Sequence, residues 1–309
     1  MSTEAITIIV MPRDHFSTLD FCVEQILQHT TGPFELWVFS GGTPAATRQR
    51  WEQRFAGKVS FTFFPDFKNG ADLRNNALSK VTTRLAVFVD SDVYVRAGWL
   101  DAMVRCQNET GAAMITPIIL DRDDRIHTAG SDFFIMEMNG TSCGRMELRY
   151  QGHQLTGPTN LPRRETDFCE MHCQLILVEI AENFSVFDAN LREFQEMDTG
   201  LTLTKQGLKM MFEPTSVVYL FYENRLTNPE DFALYLWKWH MDAMRAGFDY
   251  FRKKWQVDIN PKGEFDRYLG AVNRRVGRYS RRWPSPIGVK LDQLKDRLWK
   301  LAQGRQGGL

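Results

Sequence analysis

The stretch Leu85-Ala86-Val87-Phe88-Val89-Asp90-Ser91-Asp92 constrains this chain more than any other. An apolar run of strand length stops abruptly at two carboxylates spaced i, i+2. A buried strand does not tolerate bare charge, so both acids must sit at or past its carboxyl end. In open α/β sheets that edge is where ligands bind. Acids placed there can grip a hard divalent cation or orient a ligand hydroxyl. The competing reading is an Asp-rich turn leading into a helix opened by Gly98-Trp99-Leu100.

Strands and helices alternate on both sides of this stretch. Ile6–Met11 is continuously apolar and rich in β-branched residues, the pattern of a buried first strand, and Pro12 ends it. Residues 21–27 read as a helix, 34–39 as a strand closed by Ser40-Gly41-Gly42, 45–55 as a helix and 59–64 as a strand. Residues 71–78 form a helix leading into the 85–89 strand. The alternation predicts an α/β fold with a mostly parallel sheet covered by helices. Met114–Leu120 is a further strand, whereas residues 125–162, rich in Gly and polar side chains, read as irregular loops or short hairpins. Residues 174–180 are apolar, 197–206 are helical with Gly207 as the stop, and 216–221 form a late strand. Past Asn228-Pro229-Glu230-Asp231, Phe232, Tyr235, Leu236, Trp239, Met244 and Phe248 recur at helical spacing. They mark one long helix whose aromatic stripe belongs to a core or an interhelical seam. Residues 1–225 are therefore expected to form the main domain and 226–309 a helical extension.

Apolar residues make up 43% and charged residues 25%, which excludes a disordered chain. Lys plus Arg equals Asp plus Glu at 38 each, so no global field attracts nucleic acid, and none is expected as a partner. The charge is uneven, however. From Ala271 onward, ten basic residues face only Asp292 and Asp296. Leu291, Leu294, Leu298 and Leu301 form an apolar stripe beside Lys290, Lys295, Arg297 and Lys300. This basic amphipathic helix is expected to make a peripheral membrane contact, or to pack on its own domain or on a second copy in a homodimer. Five scattered cysteines, no basic segment in Met1-Ser2-Thr3-Glu4-Ala5 and no apolar run of membrane length point to a cytoplasmic protein with reduced thiols. Cys169-x-x-His172-Cys173 lacks the second ligand pair of a zinc finger and reads as strand residues.

With the strands placed, the chain resembles family-2 glycosyltransferases of the GT-A fold from about Ile6 to Phe221. The resemblance rests on the order and spacing of several pieces. These are the strand ending at Pro12; Ser40-Gly41-Gly42; Gly70-Ala71-Asp72-Leu73-Arg74-Asn75-Asn76-Ala77; Asp90-Ser91-Asp92; Phe187-Asp188; and Glu196-Met197-Asp198-Thr199-Gly200-Leu201 ahead of Gly207. It implies transfer of a sugar, with inversion, from a nucleotide-diphosphate donor to a hydroxyl of a glycan or lipid-linked acceptor, with Mg²⁺ or Mn²⁺ as cofactor. By the same resemblance, Asp92 binds the cation bridging the diphosphate, and Asp90 contacts ribose or helps hold the metal. Pro12, Ser40, Arg74 and Asp90 complete the donor-binding set. Glu196 stands where the family usually places an Asp as catalytic base, and inverting transfer needs one base for the acceptor proton. Each role has a plainer counterpart: Arg74 as a surface cation, Glu196 as a helix N-terminal acid, Asp198 as an orienting or structural acid.

Two positions depart from the family pattern. Ser40 stands where many members carry Asp, and Leu220-Phe221 where many carry a metal-ligating His. The cation would then rest on Asp92, diphosphate and water, with His127 and His172 as further imidazole candidates that read equally as structural histidines. Two rival functions follow from the same residues. A haloacid-dehalogenase-type phosphatase would use Asp90 as nucleophile, but Tyr94 stands where that motif normally carries Thr or Val. A degenerate GT-A domain would bind a partner or sugar nucleotide without turnover.

Overall fold

The computed structural model describes residues 5–121, 123–155, 160–221, 228–260, 263 and 265–272; the basic amphipathic tail lies outside them. The chain runs β1 (Ile6–Met11), α1 (Leu19–His29), β2 (Phe34–Gly41), α2 (Ala45–Arg54), β3 (Ser60–Phe64), α3 (Gly70–Leu78), β4 (Leu85–Asp90), β5 (Val93–Val95) and α4 (Trp99–Thr110). It continues β6 (Met114–Leu120), β7 (Ile126–Thr128), β8 (Ser131–Met138), β9 (Thr141–Leu148), β10 (Arg164–Glu165), β11 (Cys173–Leu177), α5 (Val178–Phe184), α6 (Gln195–Lys205) and β12 (Met210–Leu220). A 3₁₀ turn at Pro229–Asp231 leads into α7 (Phe232–Lys238) and α8 (Met241–Trp255).

The main sheet has the order β10-β12-β6-β11-β4-β1-β2-β3. β3, β2, β1 and β4 are mutually parallel, so their carboxyl ends share one edge. β12 and β6 are also parallel, but β11 runs antiparallel between β4 and β6. That reversal sets the residues before β11 beside the carboxyl end of β4. Asp90 N–H donates to His172 O at 2.9 Å.

All six residues of β4 are buried, because helices cover both sheet faces. Leu85, Val87 and Val89 pack with Leu19, Val23 and Trp99 on one face. Ala86 and Phe88 pack with Leu73, Ala77 and Phe187 on the other. The two-residue strand period thus divides one apolar run between two cores.

Two segments differ from the sequence expectation, and a third settles between its alternatives. Residues 125–162 hold a regular hairpin of two eight-residue strands, β8 and β9, closed by Asn139-Gly140. Both turn residues have positive φ, 51° and 75°, the conformation that an Asn-Gly hairpin turn favours. β12 starts at Met210 rather than 216, with an irregularity between Glu213 and Val217. The single long helix expected after 228 is two helices, broken at His240, whose φ/ψ of −68°/123° is extended. The break follows from tethering. Lys238 Nζ lies 3.1 Å from Asp14 Oδ1, and Trp239 Nε1 donates to the same oxygen at 3.0 Å. Asp231, 1% exposed, accepts from Phe16 N–H at 2.6 Å, Ser17 N–H at 3.0 Å and Ser17 Oγ–H at 2.6 Å. These bonds hold α7 over the segment leaving β1. The aromatic stripe is core as expected, with Tyr235, Trp239, Met244 and Phe248 in one cluster with Phe265 and Leu269. Among the described residues, no helix is long and apolar enough to cross a membrane.

Candidate active site

A cleft of about 1580 Å³ opens at the carboxyl edge of the parallel strands. Pro12 and Arg13 enter it from the end of β1, Arg74 from α3, Asp90 from β4, Glu193 from the segment before α6 and Glu196 from its first turn. The antiparallel β11 brings Glu170, Met171 and His172, and α7 contributes Trp237 and Lys238 with Trp239 after it. The β8–β9 hairpin adds Met136, Met138 and Met146, together with Arg145, to the lining.

Asp90 and Asp92 are 5% and 2% exposed; Asp90 lines the cleft, whereas Asp92 is not among the lining residues and faces Arg13, which is. His172 Nδ1 lies 3.1 Å from Asp90 Oδ2. Arg13 faces both acids, with Nε 3.6 Å from Asp90 Oδ2 and Nη1 4.0 Å from Asp92 Oδ2. These separations are too long for hydrogen bonds. Arg13 Nη1 and Asp92 Oδ1 are both buried with no hydrogen-bond partner. An orphaned carboxylate oxygen costs free energy unless something completes its shell. Asp90, Asp92 and His172 each offer one ligand atom, all within 4.8 Å of one another. Two carboxylates, one with an unsatisfied oxygen, fit a hard divalent cation.

The electrostatics of the pair are asymmetric. Burial would raise the Asp90 carboxyl, but the His172 hydrogen bond and the charges of Arg13 and Arg74 bring it below the usual carboxylate range. Burial pushes Asp92 above that range; Arg13 opposes this and Asp90 adds to it. Burial alone would lower Arg13, yet Asp14, Asp92 and Asp90 raise it well above its ordinary value. Its guanidinium holds positive charge where a cation would act.

Arg74 is not a surface cation. It is 2% exposed, donates to Met171 O at 2.9 Å and Gln195 Oε1 at 3.3 Å, and lies 3.9 Å from Asp90 Oδ1. Gly70 makes room for it, since a Cβ there would sit 2.5 Å from Arg74 Nη1. Ser40, by contrast, is fully buried with Oγ 2.5 Å from Thr43 Oγ1, and is not among the residues lining the cleft. Leu220 lines the cleft and cannot ligate metal. Cys169 and Cys173 are free, buried core residues, while His172 between them turns to Asp90.

Glu196 occupies the first turn of α6, half-buried and facing the cleft. Burial, then the charges of Glu170 and Glu193, push its carboxyl up to about 8. A carboxylate tuned toward neutrality suits general-base work. The helix enters through Phe194 at φ 66°, an uncommon conformation for a non-glycine residue. Its ring is fixed against Phe248, Phe251 and Phe265 at 5.3–6.1 Å, which over-determines the turn. Asp198, 1% exposed, accepts from Trp255 Nε1 at 2.7 Å and Lys254 Nζ at 2.9 Å, and so ties α6 to α8. Gly200 lets α6 approach the Asp167–Phe168 backbone; a Cβ there would lie 2.2 Å from Asp167 O.

Pro12, Arg74, Asp90 and Glu196 thus line the cleft, while Asp92 and Ser40 are buried and do not. Sequence reasoning missed Arg13, although it directly follows the strand end. It also missed Glu170, whose place depends on the direction of β11, and Trp237 and Lys238, whose helical periodicity speaks only of packing.

The model of "Glycosyl transferase family 2" matches residues 7–184, more than half of the 309 residues. Over 269 residues the chain is 26% identical to an uncharacterised protein, y4gI, of Sinorhizobium fredii, covering 82% of this chain and 28% of that protein. The chain therefore spans less than a third of that curated relative's length. Among solved structures, it is similar to GalNAc-T7 crystallised with UDP, GalNAc and Mn²⁺, with a TM-score of 0.57 and 13% identity, covering 88% of this chain and 54% of that one. It is also similar to the mannosyltransferase PcManGT from Pyrobaculum calidifontis in complex with GDP-Man and Mn²⁺, with a TM-score of 0.49 and 13% identity, covering 97% of this chain and 84% of that one. The mixed, mostly parallel sheet and its helical layers are those of the GT-A fold, and the chain belongs to glycosyl transferase family 2.

Proposed function

We propose that this chain is an inverting, metal-assisted glycosyltransferase. It moves a sugar from a nucleotide-diphosphate donor to an acceptor hydroxyl. The observation that carries the reading is the Asp90–Asp92 pair at the end of β4, with one buried Asp92 oxygen lacking any partner. Mg²⁺ or Mn²⁺ held by Asp90 and Asp92 would stabilise the charge that develops on the departing diphosphate. GalNAc-T7, which shares the fold, carries UDP and Mn²⁺ in its crystal, and that supports this choice of ligand class.

The chain's own residues supply the rest. His172 donates to Asp90 and fixes its orientation. Arg13 and Arg74 present positive charge toward the diphosphate. Glu196 takes the proton as the acceptor oxygen attacks the anomeric carbon, while the bond from that carbon to the diphosphate oxygen breaks on the opposite face. The helices α7 and α8 fix this geometry through Asp14 and Asp198. The acceptor enters beside the hairpin methionines, which accommodate the apolar portion of a lipid-linked glycan. We place the protein in the cytoplasm, with the basic tail as a candidate membrane or subunit contact.

The test is release of nucleoside diphosphate from a panel of sugar nucleotides with Mn²⁺, with and without chelator. Slow, chelator-sensitive release from at least one donor supports the reading. Binding without release from any donor, in the presence of candidate acceptors, would make the chain a sugar-nucleotide binder instead.

A further inference from the structure

A second group of metal-ligating side chains stands beside the Asp90–Asp92 pair, and the proposed transfer uses only one of them, His172, as the hydrogen-bond partner of Asp90. His127 lies on β7, which pairs with β6. Glu170 and His172 precede β11, which lies between β6 and β4. The strand reversal that sets His172 against Asp90 also sets Glu170 beside His127. His127, Glu170 and His172 each offer one ligand atom, all within 4.8 Å of one another.

The unused atoms converge. Glu170 Oε2 accepts from Met171 N–H at 3.0 Å, which leaves Oε1. That oxygen lies 3.8 Å from His127 Nε2, beyond hydrogen-bond range. His127 Nε2 is buried with no hydrogen-bond partner. His172 has Nδ1 against Asp90, so Nε2 is the nitrogen it can offer, and the two imidazoles meet edge to face with centroids 5.4 Å apart. Two ligands on one tetrahedral zinc stand about 3.4 Å apart, given bonds of about 2.1 Å, so little closure is needed. The Asp90–His172 contact also has the form of a carboxylate that fixes the tautomer of a metal-binding histidine.

We propose that His127 Nε2, Glu170 Oε1 and His172 Nε2 bind a transition-metal dication of the Zn²⁺ class, at a site distinct from the Asp90–Asp92 pair. Two imidazoles and a carboxylate favour zinc, cobalt or nickel, whereas paired aspartates with diphosphate and water favour magnesium or manganese. Three protein ligands leave a fourth position, and all three side chains line the cleft, so that position faces the cleft. The two sites share the Asp90–His172 hydrogen bond, which couples occupancy of one to the other. This site stands whether or not the transfer reaction is correct.

The test uses the full chain stripped with chelator and titrated with Zn²⁺ alone, without nucleotide, by calorimetry, with Co²⁺ absorption as a spectroscopic check. The native chain should bind one ion. His127→Ala and Glu170→Gln should each weaken binding by about tenfold or more, while Asp92→Asn should bind as the native chain does. Far-UV circular dichroism verifies folding, and His127→Gln replaces His127→Ala if the alanine variant does not fold. Absence of zinc binding by the native chain, native affinity in folded His127 and Glu170 variants, or loss of binding in Asp92→Asn would each overturn the proposal.

Discussion

Replacing Glu196 with Gln should make the protein more stable and much slower at once. The side chain sits half-buried with Glu170 and Glu193 nearby, and its carboxyl moves from 4.5 to about 8 on folding. The folded state holds the proton more tightly than the unfolded one. The stability contributed by protonation is therefore complete below 4.5 and is lost as pH rises toward about 8. At pH 7 the full shift corresponds to about 3 kcal/mol against folding, and solvent screening of a half-buried group reduces this to about 1–2 kcal/mol. Gln removes that loss, so the melting temperature should rise by about 2–6 °C near neutrality, with the two proteins converging in acid. Turnover should fall by about 10²–10⁴, with donor affinity unchanged, because a base acts on the acceptor proton in the transition state. Calorimetric melting across a pH series and steady-state kinetics read the two effects. A variant with no pH-dependent stability gain would refute the electrostatic reasoning. Near-normal turnover would move the base to Glu193 or another cleft residue.

Three further outcomes test other parts of the account. Gly200→Ala should destabilise the fold by about 1–3 kcal/mol or more in urea unfolding, because the new methyl meets the Asp167 carbonyl and the Phe168 Cβ at 2.8 Å. Trp255→Phe should cost about 1–3 kcal/mol by removing the indole donor to the buried Asp198 carboxylate, and should lower turnover through misplacement of α6. Deleting residues 283–309 should leave donor hydrolysis intact and reduce co-sedimentation with anionic vesicles at low salt, since each basic residue near such a surface contributes about 1 kcal/mol.

The first half of the site was legible because its signals are local. The β4 run and its two acids report burial and its abrupt end, whereas the site roles of Pro12 and Arg74 are implied by the family resemblance. What sequence reasoning could not supply depends on strand direction and on long-range tethers. The apolar run of β11 has no polarity of its own, so the approach of Glu170 and His172 to Asp90 was hidden until its antiparallel pairing was seen. Trp239 read as one member of a helical stripe, yet its indole ends that helix by binding Asp14 across more than two hundred residues. Short hairpins are one of the two readings of residues 125–162, and Asn139-Gly140, a strong turn signal, favours the β8–β9 hairpin that stands there. Ser40 shows the limit of carry-over by position, since burial against Thr43 gives its hydroxyl a local partner.

The most direct test of the central claim is calorimetric titration of nucleoside diphosphates into the native chain and Asp92→Asn, each with Mn²⁺ and with chelator. The account predicts tight binding of at least one nucleotide to the native chain only when Mn²⁺ is present, and loss of that dependence in a folded Asp92→Asn protein. Equal affinity with and without the cation, or an unchanged metal dependence in the variant, would contradict it.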